Sequence, residues 1–376
     1  MVEHEMTDRE RIISVFQRRS VDRIVWQPRI EHWYHVNKVT GSLPKPYRDM
    51  SLLEVYRDLP ASVRYYYDEG TDISTPRTYI RTEYTGGVAI RETRKRDTVR
   101  VDFITPVGEL TGLKGLAEHG LSWHYLEHPV KTPGDLTVIE YIYRHTHYRF
   151  DFAFYNQARE AMGGSGEIQF YWERSPFQRL YLEYLGIAGT SLALYDYPDR
   201  IREYLRITEE AEDELFEVLA LCPVNILNFG ENLDGRFNSP RIFSKYLVPY
   251  YRKRVDQLHR AGKFCHVHLD GILKPLLPLL KDPGFDGIEA ATPLPQGDVT
   301  LEELKEAMGE MVLLDGIPML YFLPEYSQEE LESTTRQVID LFSPHLILGI
   351  SDEISPLGDI ERVKLVARIV AEYGNA

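Results

Sequence analysis

Cysteine is almost missing from this 376-residue chain, which has only Cys222 and Cys265. Two thiols cannot staple a chain of this length. That excludes a disulfide framework and points to a reducing compartment. Long apolar runs are missing too. No stretch approaches the roughly 18 residues a membrane span needs. Met1 to Arg11 is densely charged and lacks the apolar core of a secretory signal. The expected compartment is the cytoplasm. Positive charge is in short supply, with 43 Lys and Arg against 58 Asp and Glu, a net charge of −15. Such a balance argues against nucleic acid and anionic membranes as partners and leaves a small molecule. Neither a Gly-x-Gly-x-x-Gly turn nor a P-loop appears, so the two common phosphate-cradling devices are excluded.

What is present suits a soluble enzyme. Apolar residues make up 43 % and charged residues 27 %, enough for a sizeable core. Tyrosine and phenylalanine are plentiful, at 25 and 15, and core packing accounts for most of them. Tyr65-Tyr66-Tyr67 reads as helix packing.

The chain opens on Thr7-Asp8-Arg9-Glu10, a capping-box pattern that predicts a helix to about Gln17. Ile24-Val25-Trp26 predicts a buried strand ending at Pro28. Between Thr82 and Leu110, Val88–Thr93 and Thr98–Phe103 alternate, and Gly86-Gly87 and Pro106-Val107-Gly108 punctuate them. This predicts a β-hairpin inserted at about 80–112. After Pro133, helices alternate with short strands. The strand candidates are Glu167–Trp172, Asn225–Phe229, Phe264–His268, Gly287–Ala290, Met311–Leu314 and Leu346–Ile350. The helix candidates are Pro198–Leu219, Pro240–Arg260, Leu301–Met308, Gln328–Leu341 and Ile360–Tyr373. Gly262 stands where a C-cap is wanted before the strand that follows. Alternating strands and helices imply a parallel sheet of βαβ units. With Ile24–Trp26 the strands number seven, one short of a (β/α)8 TIM barrel, and an eighth is sought near Ser74–Tyr79 or Leu185–Thr190. The expectation is an α/β fold, a single TIM-barrel domain over 1–376. A doubly wound sheet is the alternative.

His266-Val267-His268, Glu289 and Asp352 carry the chemistry. They lie at intervals of two, 21 and 63 residues, at the ends of predicted strands. Period-2 alternation puts Phe264, His266 and His268 on one face of their strand, and Cys265 and Val267 on the other. Barrel enzymes build their sites at the C-terminal strand ends. Two imidazoles and two carboxylates converging there can hold a divalent cation. Other polar residues fall at the same mouth: Gln27 and Arg29, Glu173 and Arg174, Glu231 and Asn232. Each has a plainer reading. The histidines can be core residues, Glu289 can pair with an arginine, and Asp352 can cap a helix.

These pieces, in this order, resemble the uroporphyrinogen decarboxylase-like superfamily, and within it the zinc-dependent, corrinoid-linked methyltransferase branch. Thr7-Asp8-Arg9-Glu10-Arg11 with Val21-Asp22-Arg23-Ile24-Val25 resembles its N-terminal signature. Thr105-Pro106-Val107-Gly108-Glu109-Leu110 resembles its hairpin, and Ser239-Pro240-Arg241-Ile242-Phe243 with Pro249 the helix before its metal strand. His266-Val267-His268-Leu269-Asp270-Gly271 stands in place of its His-x-Cys-x-x-Gly element. The porphyrinogen decarboxylases carry Arg-Gln-Ala-Gly-Arg-Tyr near the first strand. Here the stretch is Trp26-Gln27-Pro28-Arg29-Ile30-Glu31-His32-Trp33-Tyr34. Only Arg29 remains, so a propionate clamp for a tetrapyrrole is not expected.

The resemblance implies metal ligands at His266, His268 and Glu289, with the last among Ser351, Asp352 and Glu353, of which Asp352 is taken. It implies Zn2+, with Fe2+ or Mn2+ also suited to the donors. With histidine in place of thiolate, the ion keeps more positive charge and is a stronger Lewis acid toward oxygen. The expected activity is transfer of a methyl or similar group from a methoxylated substrate to the corrinoid of a separate protein, or to a thiol. Glu231 or Glu173 serves as the acid. Arg29, Tyr171, Trp172 and Asn232 bind substrate. A homodimer is also implied. The alternatives are a lyase, decarboxylase or hydrolase on the same barrel, and a binding protein without catalysis.

Overall fold

The computed structural model describes residues 5–68, 77–117, 123–172 and 174–373. Its strands in chain order are β1 (Val25–Trp26), β2 (Ile80–Tyr84), β3 (Ala89–Lys95), β4 (Thr98–Thr105), β5 (Gly108–Leu116), β6 (Trp123–Glu127), β7 (Thr146–Phe150), β8 (Gln169–Tyr171), β9 (Ile226–Leu233), β10 (Phe264–Leu269), β11 (Gly287–Glu289), β12 (Val312–Pro318) and β13 (Leu346–Ser351). The chain divides into two compact units. One comprises Met1–Thr71, Ala153–Tyr171 and Val224–Ala376; the other comprises Asp72–Phe152 and Trp172–Pro223.

The first unit is the barrel. Its sheet is parallel, in the order β1-β13-β12-β11-β10-β9-β8. The ladder has seven strands among the described residues; the segment Ala61–Val63 runs between β1 and the stretch that leads into β8. Ser62 N–H donates to the Trp26 carbonyl at 2.8 Å, and Val63 N–H donates to the Ser165 carbonyl at 2.9 Å. Neither sequence candidate takes that place. Leu185–Thr190 runs into the helix Gly186–Asp196 of the second unit; the first three residues of Ser74–Tyr79 lie outside the described residues, and the last three lead into β2. The closing segment carries Ser62, Arg64 and Tyr65 instead of an apolar run, which is why hydropathy hides it.

The helix Asp8–Phe16 starts on the predicted capping box at Thr7. It presents Ile12, Val15 and Phe16, spaced to share one face, to Val25, Ile226, Val312, Leu314 and Ile347. Each buried side chain contributes roughly 1.5–3 kcal/mol of transfer free energy. The helix predicted over Pro240–Arg260 is interrupted by a wide turn at Phe243–Leu247, just before Pro249, which has no N–H for an α-helical ladder. It ends as expected. Gly262 takes φ 72°, and its N–H donates to the His259 carbonyl, turning the chain into β10.

The second unit holds the predicted hairpin and more. β3, β4, β5 and β6 form a four-stranded antiparallel sheet, and β2 pairs antiparallel with β7. The turns fall at Arg96-Asp97 and Pro106-Val107. The helix expected over Pro198–Leu219 is two helices, Pro198–Ala211 and Asp213–Leu221. Among the described residues no helix is long and apolar enough to cross a membrane.

The closure of the barrel can be tested at Gly166, where a Cβ would run into the carbonyl oxygen of Val63. Gly166→Ala is expected to lose about 1–3 kcal/mol in urea unfolding, as overpacked positions do. A midpoint equal to wild type would show that Val63 does not occupy that seat.

Candidate functional site

The site is built around Glu289, the last residue of β11, which is completely buried. Register places it beside His268 of β10, while His266 lies beside Asn228 of β9. All these side chains face the barrel interior, as the alternation of β10 predicts. Beneath them, the Phe16 ring lies 6.2 Å from the His266 ring. Tyr65 donates its hydroxyl hydrogen to Glu289 Oε2 at 2.8 Å, and the Asn228 amide donates to the same oxygen. Arg29 Nη1 stands 3.1 Å from Glu289 Oε1, and Arg64 Nη1 stands 3.3 Å from it. Burial alone would raise this carboxyl's pKa. The two guanidiniums and His268 instead hold it well below the usual range, so Glu289 is an anion.

Three further carboxylates share those arginines. Arg64 binds Asp315 through both terminal nitrogens, at 2.7 and 3.1 Å, and donates from Nε to Gln27 at 2.9 Å. Asp315 holds φ 96°, a conformation strained for any side chain but glycine. It persists because Arg64 and the Ala290 N–H grip its carboxylate. Arg29 reaches Glu353 at 2.8 Å and Asp352 at 3.4 Å. Behind Arg29, the buried Glu31 accepts the Tyr56 hydroxyl at 2.9 Å. Burial first, then the charge of Glu353, raises the pKa of Glu31 to about 7. Among the described residues, Glu31, Glu289, Asp315, Asp352 and Glu353 thus face only two guanidiniums, Arg29 and Arg64.

The histidines differ from each other. His266 Nε2 lies 2.9 Å from Gln169 Oε1. With the Gln169 oxygen turned to the ring, that contact puts the proton on Nε2 and leaves Nδ1 bare. Burial, aided by Arg64, pushes the His266 pKa down to about 3, so the ring is neutral. Its bare Nδ1 faces Glu289 Oε2 at 3.5 Å. For His268, burial lowers the pKa, but Glu289 and Asp352 outweigh it and the net shift is upward. Its Nδ1 is 3.9 Å from Glu289 Oε1, and its Nε2 is 3.9 Å from Asp352 Oδ1.

These donors suit a divalent cation in kind. His266 Nδ1 and His268 Nε2 are buried and make no hydrogen bond. An imidazole lone pair facing a carboxylate oxygen is unfavourable unless a proton or a cation lies between them. The 3.5 Å separation matches the edge of a tetrahedron with bonds of about 2.1 Å. The set is spread wider than a closed site. No three of His266, His268, Glu289 and Asp352 bring one donor each within 4.8 Å of one another. The two arginines compete with a cation for Glu289.

The remaining expected residues fall unevenly. Arg29 is at the centre, held by acids. Tyr171 is half exposed at the end of β8, its ring edge-on to Tyr65 at 5.8 Å. Glu231 is buried near the end of β9, and Asn232 takes φ 52° where the ladder to β10 shifts register. Trp172 belongs to the second unit, where its ring packs against Phe216 at 5.7 Å. Glu173 lies outside the described residues. Sequence reasoning missed Arg64, Tyr65, Gln169, Asn228 and Asp315. The tyrosine run read as helix packing in fact delivers Tyr65 to Glu289.

Fold and site together define a (β/α)8 barrel with a charged mouth at its C-terminal strand ends, the architecture of an enzyme. A family model described as uroporphyrinogen decarboxylase (URO-D) matches residues 184–373, and the chain belongs to that family. A methyltransferase from Methanosarcina mazei shares the fold, with a TM-score of 0.62 and 15 % identity over 98 % of this chain and 99 % of that one. A B12-independent methionine synthase from Shewanella sp. W3-18-1 aligns with a TM-score of 0.43 and 13 % identity over 86 % and 84 %. No curated protein matches the sequence.

Two measurements test this electrostatic arrangement. Arg64→Leu leaves Asp315 and Glu289 short of a buried partner. It is expected to cost about 3–5 kcal/mol in denaturant unfolding, with part of the loss recovered in Arg64→Leu/Asp315→Leu. A single variant within the error of wild type would show that the pair is not structural. The second concerns Glu31. Its pKa is raised on folding, so it contributes stability that is present below about pH 4.5 and lost as pH rises through about 7. His266 acts in the opposite sense, its contribution being lost as pH falls toward 3. Subtracting the stability profile of Glu31→Gln from that of wild type isolates the first effect. A difference that stays flat from pH 4.5 to 7 would contradict it.

Proposed function

We propose that the chain is a metal-dependent alkyl transferase. It would take a methyl or similar group from a small methoxylated substrate and pass it to a corrinoid on a separate protein, or to a thiol. One observation carries this reading: the bare Nδ1 of a neutral, buried His266 faces the ionised Glu289 at 3.5 Å, beside a second imidazole with an unsatisfied nitrogen. The excess of acids over arginines at the mouth supports it. So does the family barrel, whose fold is shared by a protein named a methyltransferase.

His266, His268 and Glu289 would hold the ion, with the half-exposed Asp352 as the outer donor. When bound, the ion supplies Lewis acidity toward an ether, hydroxyl or carbonyl oxygen, and zinc, iron(II) and manganese all accept such donors. The protein's own contributions follow from its geometry. Gln169 fixes the His266 tautomer. Arg29, Arg64, Tyr65 and Asn228 keep Glu289 charged and oriented. Glu231, buried at the end of β9, supplies the proton to the departing oxygen. Tyr171 gives the substrate an aromatic wall against Tyr65. Asn232 and Arg29 line the approach.

The second reading is decarboxylation or a related lyase step. Arg29 and Arg64 favour it, since guanidiniums bind carboxylates. Both are already engaged by the protein's own acids, which weakens it.

Elemental analysis of wild type, His266→Ala and His268→Ala decides the metal. Wild type is expected to carry a stoichiometric ion and the variants to lose it. Mixing wild type with methoxylated aromatic compounds and cob(I)alamin is expected to give methylcobalamin, and His266→Ala to slow this by roughly 100-fold. Wild-type protein purified without chelator and free of metal would remove the reading. Release of carbon dioxide from acid substrates, with no methylcobalamin formed, would favour the second.

A further inference from the structure

We infer that a separate cation site lies on the outer face of β10, formed by His259, Cys265 and Asp286, and that it takes a borderline-soft divalent ion such as zinc. None of its residues belongs to the mouth. Alternation sends Cys265 outward where His266 points inward, and Cys265 is fully buried. His259 stands in the last turn of the helix Val248–Arg260, one turn before Gly262 leads into β10. Asp286 precedes β11 and is pinned by its backbone. Its N–H donates to the Cys265 carbonyl at 2.7 Å, and its carbonyl accepts from Val312 N–H at 2.8 Å.

The side chains then converge. Asp286 Oδ2 accepts the Cys265 N–H at 2.7 Å and lies 2.9 Å from His259 Nε2. One donor atom from each of the three residues lies within 4.8 Å of the other two. Among the described residues this is the His, Cys, Asp and Glu group that meets that condition. One sulfur, one nitrogen and one oxygen form a mixed set. Hard ions such as magnesium and calcium prefer oxygen throughout, whereas zinc accepts all three. Three protein donors leave a tetrahedral corner for water. The His259 side chain is 37 % exposed, which gives the ion a route in. Binding displaces the thiol proton to solvent. The ion ties the end of a helix to β10 and to the entrance of β11, the two strands that carry His266, His268 and Glu289. Its role is to clamp the scaffold beneath the catalytic mouth.

Cobalt(II) is the probe, because a thiolate bound to it gives a near-ultraviolet charge-transfer band and the mouth contains no thiolate. Titration of the full chain is expected to produce that band. It should persist in His266→Ala/His268→Ala, vanish in Cys265→Ser, and need at least tenfold more cobalt in His259→Ala, whose exposed position tolerates the change. Absence of the band in wild type overturns the site. So does a band unaltered in His259→Ala, which remains decisive if Cys265→Ser does not fold. So does a band that survives Cys265→Ser, which would move the ligand to Cys222. Loss of metal from the mouth leaves these outcomes untouched, so the two sites fail separately.

Discussion

A carboxylate buried at the centre of the barrel governs the rest of the structure. Glu289 has no exposure, and an ion so placed is tolerable only when paired and hydrogen-bonded. Its partners come from four other places in the barrel: Arg29 after β1, Arg64 and Tyr65 on the closing segment, Asn228 on β9 and His268 on β10. Arg64 also carries Asp315, and through Gln27 it joins the segment beside it. Closing the ring and neutralising the charge are therefore one event. The segment that completes the sheet is the one that brings a guanidinium to the middle.

That arrangement also explains what the mouth can bind. Two arginines oppose a larger number of acids, and burial with mutual repulsion lifts the pKa of Glu31, Asp315 and Glu353. In the proposed reading, a neutral imidazole facing the central carboxylate would give a cation a place, and the arginines that hold Glu289 would compete for it. The outer cluster proposed at Cys265 would work under other rules, with a soft donor in its set.

Much of the barrel was legible along the chain. β9 to β13 and the helices between them follow from runs and periodicities that depend on neighbours a few residues apart. The same alternation correctly assigned His266 to one face of β10 and Cys265 to the other. The capping box at Thr7 and the turn at Pro106-Val107 were readable for the same reason. The closing segment was not, because its buried face is polar. Arg64 and Tyr65 look like surface residues until their partners are known. The signal that could have found them was topological: the stretch between β1 and β8 had to supply one more strand.

The sequence by itself determined the parallel α/β architecture, the family, and the pair of inward histidines, since each is written in short-range pattern or in an ordered series of motifs. Only the tertiary structure decided which acids those histidines meet and which arginines hold them. Tyr65 and Glu289 are 224 positions apart, Arg64 and Asp315 are 251, and Arg29 and Asp352 are 323. Charge pairing at such separations leaves no local periodicity. It exists only once the barrel has closed and water has been excluded from between the partners.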